Sequence, residues 1–161
     1  MSDKQKITTF LWFDNNAEEA VNLYVAIFKN SKILNVARYG EAGPGPKGSV
    51  MTMTFQLEGQ RFMALNGGPH FKFTEAISLM VDCESQQEVD ELWSKLTAGG
   101  GSEGQCGWCK DKFGLSWQIV PSAFFRLASD KDPEKSKRVV AAMLQMKKLD
   151  IARLEQAYNN G

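Results

Sequence analysis

The side chains in this sequence that are best suited to redox chemistry, metal binding or nucleophilic catalysis are three cysteines and one histidine. Cys106 and Cys109 have the Cys-x-x-Cys spacing of redox dithiols, but such dithiols open a helix whose N-terminus lowers the first thiol's pKa. Here the pair lies in a stretch that predicts a strand, where residues three apart point to opposite faces. We therefore expect two separate, reduced thiols.

Zinc binding and nucleophilic catalysis find little support in the same residues. A zinc knuckle needs a second pair of ligands, which Cys83 alone does not supply. The single histidine, His70, lies in the loop 66–74, where an exposed or hydrogen-bonded side chain is the simplest interpretation. A catalytic triad would depend on that one imidazole.

Methyl transfer needs a binding turn for a nucleotide cofactor, and neither glycine-rich loop suits one. Such a turn follows a strand, opens a helix, and is accompanied by an acidic residue for the ribose. The loop 41–48 contains two prolines that lack amide hydrogens, and no helix is predicted after it. Gly67-Gly68 precedes Pro69 and a polar-aromatic loop. We therefore predict no cofactor.

Aromatic and neutral hydrogen-bonding side chains are the remaining candidates for a site. Such a mixture suits a planar or amphipathic small molecule, held by stacking and a few directed polar contacts. The alternative is that each aromatic ring merely fills the core. Trp117 is expected to face away from the cleft if Gln118 faces into it, because neighbours on a strand alternate. Three residues are expected at the rim: Trp108, Lys110 and Asp111.

Composition excludes several classes of protein. The 161 residues are 43% apolar and 24% charged, which is typical of a globular chain. Nineteen basic residues balance nineteen acidic ones, which argues against an overall basic field for nucleic acid. We see no signal peptide, and no stretch approaches the ~20 apolar residues of a membrane span. An odd number of cysteines implies no disulfide framework, so a cytoplasmic location without membrane partners is expected.

The hydrophobic pattern predicts two copies of a strand–helix–strand–strand–strand arrangement, although the first hairpin strand of the second copy is poorly marked. Asn16 and Ser85 are the expected helix caps, and Glu58-Gly59 is a hairpin turn signal. A shift of 68 places Asp14 on Asp82, and a shift of 55 places Met63 on Gln118. The alternative, that two α+β units merely look alike at this level, stays open. The predicted elements are strands 7–14, 33–39, 50–57, 61–65, 76–81, 106–111 and 115–120, with helices 16–29 and 84–98.

The tail, residues 122–161, predicts a short helix capped by Ser122 and running through Ala128, a helix that starts at Asp132-Pro133-Glu134, and a last helix capped by Asp150. We expect it to dock on the domain or on a partner subunit through one apolar stripe. That stripe comprises Val140, Met143, Leu144, Ile151 and Leu154. The charged side chains expected to stay solvated are Lys135, Lys137, Arg138, Lys147 and Lys148. The predicted organisation is a domain over 1–121, with modules 6–67 and 75–121, followed by a helical extension over 122–161.

Two stretches carry a resemblance to a known family. Residues 65–69 read LNGGP, followed by Phe71-Lys72-Phe73 and by 75–79 (EAISL), and residues 106–121 read CGWCKDKFGLSWQIVP. These motifs resemble those of the PhnB-like family, which is often labelled demethylubiquinone methyltransferase-like. The resemblance covers roughly residues 6–121. That family is part of the vicinal oxygen chelate superfamily, with glyoxalase I, extradiol dioxygenases and bleomycin-resistance proteins. The resemblance implies an α+β fold of paired βαβββ modules and a homodimer.

The resemblance also implies where a metal would lie. Metal-dependent members place ligands near the start of the first strand and in the last strand of each repeat. The repeat alignment puts Thr8, Met63, Ala76 and Gln118 there, or Thr9 if the first strand slips by one. Threonine and alanine replace imidazole poorly, methionine is soft, and a neutral amide lacks the charge that a divalent cation prefers. We therefore predict no metal.

These observations favour a metal-free protein that binds a small molecule. Two alternatives stay open: an enzyme of the same family, methyltransferase-like or of lyase type, and a structural or interaction module. An enzyme predicts a pocket carboxylate or thiol with a perturbed pKa, and an interaction module predicts a filled cleft and an exposed apolar patch. The predicted pocket residues are Thr8, Phe10, Trp12, Met63, Asn66, Ser78, Met80, Trp108, Ser116 and Gln118.

Overall fold

A four-stranded sheet covered on one face by a helix forms the first of two units in this chain, which divides between Lys72 and Phe73. The structure, a computed structural model, describes residues 4–160. The sheet order is β1-β4-β3-β2, with β1 parallel to β4 and the other neighbours antiparallel. The elements are β1 (Thr9–Phe13), α1 (Ala17–Ile27), β2 (Lys32–Arg38), β3 (Val50–Leu57) and β4 (Gln60–Asn66).

The second unit repeats this topology. Its sheet order is β5-β8-β7-β6, again with the first strand parallel to the last and the others antiparallel. The predicted α+β fold of paired βαβββ modules is confirmed. The elements are β5 (Leu79–Cys83), α2 (Gln86–Thr97), β6 (Ser102–Glu103), β7 (Trp108–Lys110) and β8 (Ser116–Pro121), with a 3₁₀ turn over Ala98–Gly100.

Each sheet buries one face under its helix, as strand alternation requires. In the first unit, Leu11 and Phe13 of β1 and Met53 and Phe55 of β3 are buried together with Tyr24 of α1. In the second unit, the buried face consists of Cys83, Cys109, Trp117 and Ile119, with Val89, Leu92, Trp93 and Leu96 from α2. The other face of each sheet carries no helix of the βαβββ unit itself.

The strand register corrects the alignment between the two modules. Thr9 pairs with Phe62, and Leu79 pairs with Trp117. The last strands therefore align by the predicted shift of 55, but the first strands align by 70 instead of 68. The connection from strand to helix is one residue shorter in the second unit, residues 84–85 against 14–16, and this accounts for one of the two residues of difference. No single shift fits both strand and helix, and Ser78, not Ala76, corresponds to Thr8.

Two strand boundaries in the second unit were predicted too early. β5 begins at Leu79, and Ile77, expected under the helix, is 58% exposed. β7 begins at Trp108, because Cys106 has a φ of 58° and donates its backbone N–H to Met146. Tertiary contacts with the tail thus replace the strand pairing that the local sequence favours.

The turn and cap predictions are confirmed except at α1. Glu58 and Gly59 have φ values of 47° and 82°, as a two-residue hairpin turn requires. The Ser85 side chain accepts the Glu88 N–H at the start of α2. Asn16 occupies the cap position of α1 without a side-chain cap bond. The Asn66 Oδ1 accepts the Ala17 N–H instead, at 2.9 Å.

The tail forms α3 (Ser122–Ala128), α4 (Pro133–Met143) and α5 (Ile151–Asn159), and belongs to the second unit. Asp132 and Asp150 cap α4 and α5, as predicted. The predicted cap at Ser122 is wrong, because Pro121 is the N-cap of α3 and the Ser122 hydroxyl bonds to Asp82 instead. The tail's buried cluster comprises Val120, Leu127, Val139, Met146, Leu149 and Leu154. Of the predicted docking residues, Leu154 is buried as expected, whereas the prediction for Leu144 is wrong. Leu144 is 55% exposed because α4 ends at Met143 and the chain turns there.

Two of the five tail cations, Lys135 and Arg138, are half-buried, contrary to the prediction that all five stay solvated. Arg138 donates to the carbonyl oxygens of Ala157 and Tyr158, which stabilises the C-terminal end of α5. The Lys135 Nζ lies 4.8 Å from the centroid of the Tyr158 ring, and the Lys148 Nζ lies 2.8 Å from an Asp90 carboxylate oxygen. Across residues 4–160, none of the helices has the length and hydropathy needed to cross a bilayer.

The tail cluster predicts how two leucines in the same segment differ. Leu154→Ala removes a fully buried side chain and should lower the free energy of unfolding by about 2–5 kcal/mol. Leu144→Ala, the control at an exposed site, should change it by less than ~0.5 kcal/mol. Urea denaturation followed by circular dichroism measures both. Equal losses for the two variants would contradict this packing.

Candidate functional site

The face of the first sheet opposite α1 carries a group of aromatic side chains that forms one candidate site. Phe10 lies beside Met63, which lies beside Thr54 on the next strand, and Trp12 lies beside Leu65 in the next row. Phe10 is 48% exposed, and Trp12 and Met63 are half-buried. The structure therefore brings three of the predicted pocket residues, Phe10, Trp12 and Met63, onto one face.

Trp12 is held rigidly on this face. Its indole Nε1 donates to the Gly68 carbonyl oxygen at 2.9 Å. The Phe71 ring meets the indole edge-on, with ring centroids 4.9 Å apart and planes at 81°. A Cβ at Gly67 would come within 2.3 Å of the indole, so only glycine permits this approach. Phe71 itself is 66% exposed. It was not among the predicted pocket residues, although it lies in the motif that carried the resemblance.

Two predicted residues of the first unit have other placements. Thr8 lies half-buried in the segment before β1. The Asn66 amide is on the helix side, where its Oδ1 accepts from Ala17 and its Nδ2 donates to the Val50 carbonyl at 3.1 Å. Asn66 is therefore corrected from a pocket residue to a structural one. Its register partner, Phe13, is buried on the same side.

The open face of the second sheet carries a polar candidate site of its own. Met80, Gln118 and Trp108 form one row across β5, β8 and β7, and Ser116 lies beside Lys110 in the neighbouring row. The Gln118 Nε2 donates to the Ser78 Oγ at 2.9 Å. Met80 is 52% exposed, whereas Ser116 is fully buried. All five predicted pocket residues of this unit, Ser78 included, thus lie within two adjacent rows.

Trp117 turns towards the helix side, as the alternation predicted. Its Nε1 donates to Asp111 Oδ2 at 2.9 Å, and the same carboxylate accepts the N–H groups of Phe113 and Leu115. Asp111 is only 2% exposed, so its prediction as a rim residue is wrong. It organises the turn between β7 and β8 and stabilises the buried indole.

The cysteines are all free thiols, which confirms the prediction that Cys106 and Cys109 are unlinked. Burial raises the pKa of Cys83 to about 12 and that of Cys109 to about 12. Both side chains are therefore neutral thiols at physiological pH and poor nucleophiles. Cys106 is half-buried at the start of the β7 segment. The histidine, His70, is exposed in its loop, as expected.

The side chains at the four positions where the resemblance implies metal ligands do not suit a divalent cation. Thr8 and Ser78 precede the first strands, and Met63 and Gln118 lie on the last strands, so the four positions offer no imidazole or carboxylate. Within the described range, no group of three histidine, cysteine, aspartate or glutamate side chains is arranged to hold a metal ion. Neutral hydroxyl and amide oxygens alone bind such ions weakly.

Paired βαβββ units of this topology are the fold of the vicinal oxygen chelate superfamily. Within it, the chain belongs to the 3-demethylubiquinone-9 3-methyltransferase family, the PhnB-like group, whose sequence profile matches residues 5–120. The PhnB protein of Bacillus cereus, a suggested 3-demethylubiquinone-9 3-methyltransferase, is 42% identical. The match covers 73% of this chain and 100% of that one, with a TM-score of 0.69.

More distant structures share the fold alone. A Pseudomonas aeruginosa protein is 21% identical over 73% of this chain and 97% of its own, with a TM-score of 0.61. The fosfomycin resistance protein FosX of Listeria monocytogenes, solved with Mn(II) and sulfate, is 13% identical over 73% and 90%, with a TM-score of 0.50. No curated protein matches this sequence significantly.

The family description implies a methyl donor, and the residues present do not fit a nucleotide cofactor. The turn between β1 and α1 is Asp14-Asn15-Asn16, which contains no glycine. After Gly67-Gly68 the chain continues as loop until β5, so no helix N-terminus faces a phosphate or ribose there. The described residues therefore offer no recognisable cradle for such a group.

The side chains at the four ligand positions predict the metal content of the protein. Purified protein should contain well under one equivalent of Ni, Zn, Fe or Mn per chain, because hydroxyl, thioether and amide groups do not replace imidazole and carboxylate. Elemental analysis by mass spectrometry measures this after dialysis without chelator. One tightly held ion per chain that disappears in Gln118→Ala would contradict the prediction.

Proposed function

We propose that this protein binds a small planar or amphipathic molecule, without a metal ion, on the open face of each of its two sheets. The observation that carries the proposal is the aromatic group of Trp12, Phe71 and Phe10. Trp12 is locked by its hydrogen bond and by the Gly67 contact, while Phe71 and Phe10 leave 66% and 48% of their area in solvent. A fixed indole beside exposed rings suits stacking of a flat ligand.

The second sheet carries polar side chains of its own, and these support such binding on its own open face. Gln118 and Ser78 are hydrogen-bonded to each other, and this leaves the amide oxygen of Gln118 as an acceptor on the open face. Met80 and Trp108 flank Gln118 and present apolar area. Small-molecule sites combine apolar walls with a few directed polar groups in this way.

Catalysis is the alternative, and the titratable groups favour binding over it. The buried thiols Cys83 and Cys109 have raised pKa values, which keeps them protonated. The hydrogen bond from Lys110 lowers the pKa of Glu75, which keeps that carboxylate ionised and unsuited as a general acid at neutral pH. The family's methyltransferase description is therefore not carried over to this chain.

Binding of naphthamide, a flat neutral probe, tests the aromatic group. Phe71→Ala should weaken binding by about three- to tenfold, because one aromatic contact is worth about 0.5–1.5 kcal/mol. Phe125→Ala is the matched control, since Phe125 is 42% exposed but lies on α3 in the tail. Isothermal titration calorimetry gives the affinities. The proposal fails if wild type does not bind the probe, or if both variants lose binding equally.

We also propose a homodimer and a cytoplasmic location. The edge strand β2 supports the dimer, because Ile33, Leu34 and Val36 are all exposed on it. Sedimentation velocity should give twice the chain mass, and Leu34→Lys should shift the protein towards monomer. Leu144→Lys, at another exposed leucine, should leave the mass unchanged. A wild-type protein that sediments as a monomer would contradict the dimer.

A further inference from the structure

Ser116 has a buried hydroxyl group that makes no hydrogen bond within residues 4–160. Its side chain lies on the open face of β8, beside Lys110 on β7, and is 0% exposed. Buried polar groups are almost always paired, and an unpaired one destabilises the fold. An unsatisfied hydroxyl on the face that carries Gln118 therefore needs an explanation beyond packing.

An ion pair joins the two sides of β8 at the level of this hydroxyl. Lys110 projects from β7, and its ammonium group contacts the carboxylate of Glu75, which lies in the segment just before β5. Because β8 lies between β5 and β7 in the sheet, the pair bridges the strand that carries Ser116. Both side chains are exposed, at 39% and 62%, so solvent screens the attraction and the pair opens at little cost.

We propose that this ion pair closes an anion subsite, in which the carboxylate of a planar ligand replaces that of Glu75 and binds Lys110 and the Ser116 hydroxyl. Without a ligand, the Glu75 carboxylate then occupies the position beside Lys110 that the ligand's carboxylate would take. The inference rests on the proposed function and specifies its ligand class as a small planar carboxylic acid.

The surrounding side chains match such a ligand. Lys110 supplies up to three donors and Ser116 one, and a carboxylate accepts through two oxygens. The neighbouring row of Met80, Gln118 and Trp108 lies one pleat further along the same face, where the flat body of the ligand would rest. Beyond it, Val120 is buried in the tail cluster, so the subsite is bounded on that side.

Two probes of the same shape test this subsite: naphthoate, which is anionic, and naphthamide, which is neutral. Calorimetry at low salt should show that the wild-type protein binds naphthoate more tightly than naphthamide. Lys110→Met should lower the affinity for naphthoate by about tenfold and leave the affinity for naphthamide unchanged, because only the charge-assisted hydrogen bond is lost. Glu75→Gln should tighten naphthoate by about threefold, because the internal competitor is neutralised. Lys95→Met, a charge removed from an exposed site on α2, is the matched control and should change neither affinity.

Ser116→Ala gives a second readout that a purely structural role would not produce. Removing an unpaired buried hydroxyl should raise the Tm by about 2–4 °C. The same variant should weaken naphthoate binding several-fold, so stability and affinity move in opposite directions. A variant that is more stable and binds naphthoate normally would overturn the role of Ser116.

The outcomes separate this inference from the proposed function. If naphthamide binds and depends on Phe71, but naphthoate binding ignores Lys110 and Glu75, then only the anion subsite is wrong. If neither probe binds wild type, both the subsite and the proposed function are wrong. If naphthoate depends on Lys110 while Phe71→Ala has no effect on either probe, the subsite stands and the aromatic group is not the binding surface.

Discussion

The parallel pairing of the first and last strands is the constraint on which each unit depends. Thr9 pairs with Phe62 and Leu79 with Trp117, so residues that are far apart in the sequence are joined directly. This pairing requires the helix to cross over one face, because parallel strands cannot be joined by a short turn. It leaves the opposite face open and sets which side chains share it. Phe10 lies beside Met63, and Met80 beside Gln118, as direct consequences.

The same topology supports different surfaces in the two units. The face of the first sheet presents Phe10 and Trp12, and the equivalent positions of the second sheet present Met80 and Asp82. The repeated backbone topology therefore does not determine by itself which ligand binds. The positions that the resemblance assigns to metal ligands hold neutral side chains in this chain, and there the Gln118 amide donates to the Ser78 hydroxyl.

The tail contributes to the second unit as a part of its core. Its backbone carbonyls at Met146 and Lys147 accept the N–H groups of Cys106 and Gly107, and the Gln86 side chain bonds to Leu149 and Ile151. The buried leucines of the tail pack with Val120 at the end of β8. These contacts limit β7 to three residues and close one end of the open face, so the tail shapes the candidate site without supplying chemistry to it.

Local patterns in the sequence were enough to predict the repeated βαβββ units, the caps at Ser85, Asp132 and Asp150, and the hairpin at Glu58-Gly59. These features depend on neighbours within a few residues, where alternation and capping chemistry act. Only the tertiary structure showed that Asn66 bonds to the start of α1 and that Asp111 is buried. The same is true of the close contact between Trp12 and Gly67 and of the ion pair between Glu75 and Lys110. Each joins residues that are distant in sequence, or depends on the strand register. A register is set by the summed packing of a whole sheet, and no local spacing encodes that sum.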